Sequence, residues 1–331
     1  MKKTLTVFLA LFLTCWFGCS KDNPTEPPAP TIITVTAATG TVAPARLSVE
    51  DSVWNRITSR SIAITATRYS AGKEHPTASL AVADSVRVQA VVVHDTLYLR
   101  LSWADATLDC WPGRFAVSDI QYPSDPPDTL AVFTQDALSA SEDQAMIFLQ
   151  AAGNLTWDVW NWRLLTTGAG LLAEDFSLNG TTLTQDAGTV SVATSNLGGA
   201  GQPALMQPEG PDNQDYRLYE REAIPVDAGL NWAIGDRVAG WVIDDSLYLP
   251  QNAATRGSRW DVGAVSGYAG SPYRQTVVLN RALASDDTAD LDMSALTTVR
   301  TRVGITDNSD FSMTLGSTRQ GFTDVFELVL P

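Results

Sequence analysis

The chain has 331 residues, with 22 Lys+Arg against 37 Asp+Glu and a formal charge of −15. That balance excludes a nucleic-acid binder, which needs clustered basic charge to replace the counterions on phosphate. It suits a soluble, exported surface and a basic partner such as a small cytochrome.

The N-terminus reads MKKTLTVFLALFLTCWFGCS. Lys2 and Lys3 form a positive n-region, and the apolar run over residues 4 to 14 is too short and wrongly flanked to span a membrane. Gly18 stands directly before Cys19. The segment resembles a bacterial lipoprotein signal, cleaved before a cysteine that then carries lipid, although Trp16 sits where a small or branched apolar residue is usual. An ordinary secretory signal or an uncleaved anchor is the other reading. We therefore expect a signal over 1–19 with the lipid on Cys19, a Pro-rich tether over 20–44, and one folded domain over 45–331. This places the protein in the cell envelope, lipid-anchored, facing the periplasm or the cell exterior. Loss of Lys2 and Lys3 leaves 20 basic against 37 acidic residues, a mature charge near −17. Cys15 leaves with the signal, so Cys110 stands alone and no internal disulfide forms. There is no Cys-x-x-Cys-His for covalent haem and no zinc pattern.

RSIAITATR (60–68), DSVRVQAVVVHDTLYLRLSW (84–103) and QAMIFLQ (144–150) are rich in β-branched, leucine and aromatic residues with local alternation, and predict strands. His94-Asp95 separates two runs and predicts a hairpin turn. Val88, Ala90 and Val92 then share one face of the first arm, and Leu97, Leu99 and Leu101 one face of the second. TWDVWNWRLL (156–165) carries Trp157, Trp160 and Trp162. On a strand Trp160 and Trp162 share one face, and Asn161 and Arg163 the other. Three roles fit the pair: a sandwich core, an aromatic platform for sugar, or the wall of a flat cofactor pocket. The segment 166–235 is polar and Gly-rich with few strand signals, and predicts the long loops where binding sites usually lie. DRVAGWVI (236–243), RQTVVLNRAL (274–283), TRVGITDN (301–308) and DVFELVL (324–330) complete the strands. Short strands between Gly, Asp, Asn and Ser turns predict an all-β fold, a single Ig-like β-sandwich with long loops.

The motifs, in order, resemble the ethylbenzene dehydrogenase-type haem-binding domain. SVWNRITSRSIAI resembles its opening, and VRVQAVVVHDTLYLRLSWADATLD its next hairpin, ending in a Trp-x-Asp-x-Thr signature at Trp103, Asp105 and Thr107. SEDQAMIFL, DVWNWRLL, REAIPVDAGLNWAIGDRVAGWVI, RQTVVLNRALASDD and VGITDNSD follow in the family's order, over roughly 48–331. The resemblance implies a DOMON-like sandwich that binds haem b non-covalently and passes electrons, with a cytochrome or a molybdenum enzyme as redox partner. It implies that Trp160 and Trp162 line the macrocycle beside the 166–210 loop, and that Arg163 pairs with a propionate, since its planar fork makes two charge-assisted bonds to a carboxylate.

The family's iron ligands are a methionine and a lysine, and here the chain departs. Its mature lysines are Lys21 and Lys73, neither near the C-terminal segment where the family lysine lies. No methionine stands between IFLQ and TWDVW. Met206 in QPALMQPEG and Met313 in DNSDFSMTLGS are the expected replacements, a soft pair that favours ferrous iron. Met146 reads as core, Met293 shows no pattern, His94 is a turn residue and His75 lies in a polar loop; Cys110 reads as a buried, inert cysteine. Glycine-serine elbows and nucleotide loops are absent, so electron transfer rather than catalysis is expected. The acidic runs IDDS (243–246) and SDDTADLD (285–292) read as solvated turns. The alternative is a cell-surface sandwich that has lost haem and binds a carbohydrate or another ligand.

Overall fold

A computed structural model describes residues 32–44, 49–66, 83–105, 115–121, 130–135, 142–164, 171–187, 261–269, 273–285, 287–307 and 320–331, with Thr167 and short pieces between 193 and 259. Strands begin earlier than expected. β1 (Thr34–Thr36) and β2 (Ala38–Gly40) fall inside the segment read as tether. β-Branched residues favour pairing, and Val35 and Ala37 are buried here. The second half of the 20–44 tether is therefore part of the domain, and the compact unit runs Ile33–Pro331.

A 3₁₀ turn (Ser52–Arg56) is capped by Asp51, whose carboxylate accepts the Val53 N–H at 2.9 Å, and leads into β3 (Arg60–Ala66). β4 (Ser85–Val93) and β5 (Thr96–Ala104) form the expected hairpin, with His94 at φ 53° in its turn. β6 (Phe115–Gln121) and β7 (Leu130–Gln135) pair with each other. β8 (Gln144–Gln150), β9 (Thr156–Arg163), β10 (Leu172–Asn179) and β11 (Thr182–Gln185) follow as an antiparallel meander. The next strands are short: β12 (Ala193–Ser195), β13 (Leu205–Met206), β14 (Ile224–Pro225), β15 (Arg237–Val238) and β16 (Trp241–Ile243). Of these, β12 pairs β16, β13 pairs β14, and β15 pairs β6. β17 (Val262–Ala269), β18 (Arg274–Ala282), β19 (Thr298–Thr306), β20 (Gln320–Thr323) and β21 (Phe326–Val329) complete the chain.

β10 and β11 overturn the expectation of loops throughout 166–235. Asn179-Gly180 is a hairpin signal, and Gly180 takes φ 61° in the turn. The alternation of LAEDFSLN is hidden because Asp175 sits at a buried position.

The all-β class is found, but as a closed sheet. Ten strands form a barrel-like ring in the order β19-β20-β3-β4-β5-β18-β17-β10-β9-β8, which closes when β8 pairs β19. Closure removes exposed edges, which would otherwise template association. Three seams are short: Gly304–Thr306 meets Gln320–Phe322, Gly321–Thr323 meets Ile64–Ala66, and Leu172–Ala173 meets Val262–Gly263.

Alternate residues fill the interior. Val88, Ala90 and Val92 lie opposite Leu101, Leu99 and Leu97, so the two predicted faces become one wall of the core. Ile147 and Leu149 of β8 join them, with Trp160 and Trp162 of β9; Trp103 meets Trp162 edge-on with centroids 6.4 Å apart. Met146, expected as core, packs with Phe148 and Val159 on the other face of β8 and β9, against Phe322 and Leu178. Met293 also packs into the interior cluster.

One end of that interior is ionic. The Arg281 guanidinium donates to Asp175 at 2.8 Å, to Asp158 at 2.6 Å and to the Leu291 carbonyl at 3.1 Å, and lies 5.1 Å from the Trp160 ring centroid. Asp158 also accepts the Leu291 N–H at 2.8 Å, and buried Asp290 stands 3.4 Å from the same guanidinium. The reading of 285–292 as solvated turns is thus corrected for Asp290: Arg281 holds it inside. Burial pushes the Asp158 and Asp175 carboxyls up, against the pull of Arg281. Asp186 is pushed up to about 7 by burial and then by the Asp290 and Asp287 charges.

Three outcomes follow from this packing. Arg281→Leu leaves three buried carboxylates, Asp158, Asp175 and Asp290, without their cation and lowers unfolding free energy by about 3–5 kcal/mol in urea titration. Adding Asp158→Asn and Asp175→Asn to it recovers part of the loss. Trp162→Ala costs about 3–5 kcal/mol and Trp162→Phe clearly less, by the same measurement. Asp186 has a folded pKa above its unfolded one, so the folded state holds the extra proton. Its contribution is therefore present at low pH and lost as pH rises toward about 7. In EDTA, the fall in melting temperature from about pH 5 to 8 should be smaller for Asp186→Asn than for the parent.

Candidate functional site

Of the sequence-predicted site residues, the side chains of Trp160, Trp162 and Arg163 are described. Trp160 and Trp162 are fully buried in the interior cluster. Both pack among the core residues of the ring. Arg163 ends β9 on the opposite strand face, its Nε 3.7 Å from Glu174 Oε2, and its backbone N–H donates to Thr167 Oγ1 at 2.8 Å. It belongs with Glu174 and Arg259 rather than with the two indoles. Met206 lies on β13, where its backbone pairs with Ile224. Its side chain falls outside the described residues, as do Met313, Cys19, Cys110, His75 and the acidic run 244–246. His94 is exposed in its turn, as expected.

Among the described residues, a cleft lies on the outer face of β4, β5, β18 and β17, and the pairing register builds it. Arg87, Ser102, Thr276 and Gly267 fall in one row across the four strands, and Gln89, Arg100, Val278 and Val265 in the next. The segment before β3 covers one end of this face, where Trp54 and Ile57 pack on Val91, Val265 and Val278. The cover stops at Val49 and Glu50. Gly267 permits that approach, because a Cβ there would stand 2.6 Å from Val49 Cγ2. Beyond it opens a cleft of about 580 Å³ whose polar lining includes Arg87, Arg100, Arg274, Ser102, Tyr268 and Glu50.

Two of the three arginines are held in place. Arg100 donates to the Val49 carbonyl at 2.9 Å, to Gln89 Oε1 at 2.8 Å and to Glu50 Oε1 at 3.3 Å. Gln89 is fixed in turn by donating to the Trp54 and Ile57 carbonyls, each at 2.8 Å. Arg274 donates to the Ser102 carbonyl at 3.0 Å and its hydroxyl at 3.2 Å. Arg87 has no hydrogen-bond or ion-pair partner among the described residues. The carboxylate against these three cations is Glu50, whose side chain is 72 % exposed. Burial, then repulsion from Arg87 and Arg100, lowers the Arg274 pKa, although a guanidinium stays charged. An anion relieves that repulsion. Tyr268 stacks on Tyr273 at 5.2 Å and 15°, and its hydroxyl donates to the Asp105 carbonyl at 3.4 Å. The Trp-x-Asp part of the signature has a local role, since Trp103 Nε1 donates to Asp105 Oδ2 at 3.3 Å.

The sequence profile of the ethylbenzene dehydrogenase family matches residues 51–308, which hold most of the ring and the whole arginine set of the cleft. None of the curated proteins matches the chain. Among solved structures, the chain is similar to a candidate carbohydrate-binding protein from Bacteroides uniformis ATCC 8492, at 9% identity over 91% of this chain and 100% of that one, with a TM-score of 0.37. It is also similar to a carbohydrate binding module of family 9 from Caldicellulosiruptor kristjanssonii in complex with glucose, at 10% identity over 90% and 95% of the two chains, with a TM-score of 0.32. The profile match spans well over half of the 331 residues. The chain belongs to the ethylbenzene dehydrogenase family.

Proposed function

We propose that this is a lipid-tethered envelope protein that binds an anionic ligand in the arginine cleft, with haem b as that ligand and electron transfer as its role. The observation that carries the binding site is the local charge: three guanidiniums and one exposed carboxylate in a protein of net −15. Membership of a dehydrogenase family supports the redox half. The finer fold reading, a DOMON-like sandwich, is supported by two of the short seams, β20 with β3 and β10 with β17, which divide the ring into two groups of strands.

Haem b carries two propionates, and these fit the cleft. Arg87 and Arg274 offer planar donor forks for carboxylates. Arg100 is already held by three partners and adds charge. For the iron, Tyr268 is the lining residue whose side chain belongs to the usual haem ligands. The expected pair Met206 and Met313 contributes no described side chain there. Bound haem would supply one-electron chemistry. Arg87 and Arg274 would hold its carboxylates. The acidic surface suits a basic redox partner, a cytochrome or a molybdenum enzyme.

One observation favours a second ligand class. Tyr268 lines the cleft and Tyr273, 54 % exposed, stacks on it, which puts aromatic surface next to the arginines' own strands, a feature an acidic sugar would use.

The full chain in detergent, titrated with haem and followed by visible absorbance, tests the first reading. A Soret band should develop and saturate. Arg87→Ala and Arg274→Ala should each weaken binding about tenfold or more, the effect of losing a hydrogen bond to a charged group. Tyr268→Phe should shift the band. A flat spectrum throughout removes haem; calorimetric binding of glucuronate with the same arginine dependence then assigns the cleft to an acidic sugar. Failure of both ligands removes the cleft as the binding site.

A further inference from the structure

We infer that the ionic mouth of the ring is a binding site for a hard divalent cation, Ca²⁺, centred on Asp290. Asp175, Asp261 and Asp290 offer oxygens within 4.8 Å of one another, and Asp186, Asp287 and Asp290 form a second such set. Asp290 is common to both, so the two sets form one continuous group of oxygens.

Acidic groups crowd many surfaces without an ion, and water satisfies them there. Here two carboxylates are out of reach of water. Asp186 is 8 % exposed, and its Oδ2 has no hydrogen-bond partner among the described residues. Asp175 is 0 % exposed, and its Oδ1 is equally unpartnered, while Oδ2 accepts from Arg281. A buried carboxylate oxygen without a donor is costly to keep. Arg281 answers only part of this charge: it donates to Asp158, Asp175 and the Leu291 carbonyl and stands 3.4 Å from Asp290, one cation against the five carboxylates of the two sets. A cation would answer the charge of all of these carboxylates at once.

The scaffold presents these oxygens from fixed positions. Asp175 is on β10, and Asp261 directly precedes β17 where that strand pairs with β10. Asp186 follows β11 and its N–H donates to the Asp175 carbonyl at 3.2 Å. Asp287 and Asp290 come from the segment that crosses the mouth, where Ser285 Oγ donates to Asp290 Oδ2 and accepts the Asp287 N–H at 3.1 Å. The donor set is all oxygen, which disfavours zinc and copper. Irregular carboxylates from separate segments suit Ca²⁺, which takes six to eight oxygens flexibly, over Mg²⁺, which demands an octahedron and keeps its waters. The ion would tie the 285–296 segment to β10 and β17.

The test uses the full chain, stripped with EDTA and titrated with CaCl₂ near pH 7.5 by calorimetry. Saturable binding at about one ion per chain is expected, in the micromolar to millimolar range. Melting temperature should rise by roughly 5 °C at saturation, and MgCl₂ should act more weakly. Asp290→Asn should abolish the binding. Should that variant fail to fold, Asp287→Asn, at the half-exposed edge of the group, should weaken it about tenfold. No heat and no thermal shift up to about 10 mM CaCl₂ would overturn the site. Undiminished binding in the two variants would overturn it equally.

Discussion

The pairing of β19 on both edges is the constraint on which the rest depends. One edge runs against β8 along Arg300–Thr306, and the other is divided between β21 and β20. Without it the sheet is an open ribbon with two long edges. With it, every inward residue of ten strands faces a common interior. Val299, Val303 and Ile305 of β19 belong to that interior. The position of Trp160 and Trp162 follows from this closure, since β9 and β8 lie directly beside the closing pair.

Closure also sorts charge. The chain is acidic as a whole, yet the outer face of β4, β5 and β18 gathers three arginines, while the mouth gathers aspartates around Arg281. Neither concentration reflects composition. Each is set by register, which places residues far apart in sequence at neighbouring positions. The two sites lie on different surfaces of β18: Arg274 points out to the cleft, and Arg281, seven residues on, points into the ring. An odd separation on a strand puts two side chains on opposite faces.

Hydrophobic alternation was readable without coordinates, and so was much of the ring. The 85–104 hairpin, its turn at His94-Asp95 and its inward residues all appear where patterning places them. β8, β18, β19 and β21 carry the same signal. What escaped has a common cause. β10 reads as polar because Asp175 occupies a core position that Arg281 makes tolerable. β1 is concealed by the Pro-rich stretch before it. SDDTADLD looks like a solvated turn because nothing local to Asp290 announces the arginine that buries it. The cleft was invisible for a similar reason: Arg87, Arg100 and Arg274 share no motif and meet only through strand pairing. The tryptophans were conspicuous by type, but type alone does not distinguish a ligand wall from a core.

The parallel pairing of β1 with β21 has a mechanical consequence. Thr34–Thr36 lies beside Glu327–Val329, so the first strand of the domain is held by the last. A pull on the chain ahead of Thr34 acts along β1, and the backbone hydrogen bonds of the pair bear it in shear. They yield together rather than one after another. The entry point of the domain is thus its reinforced end.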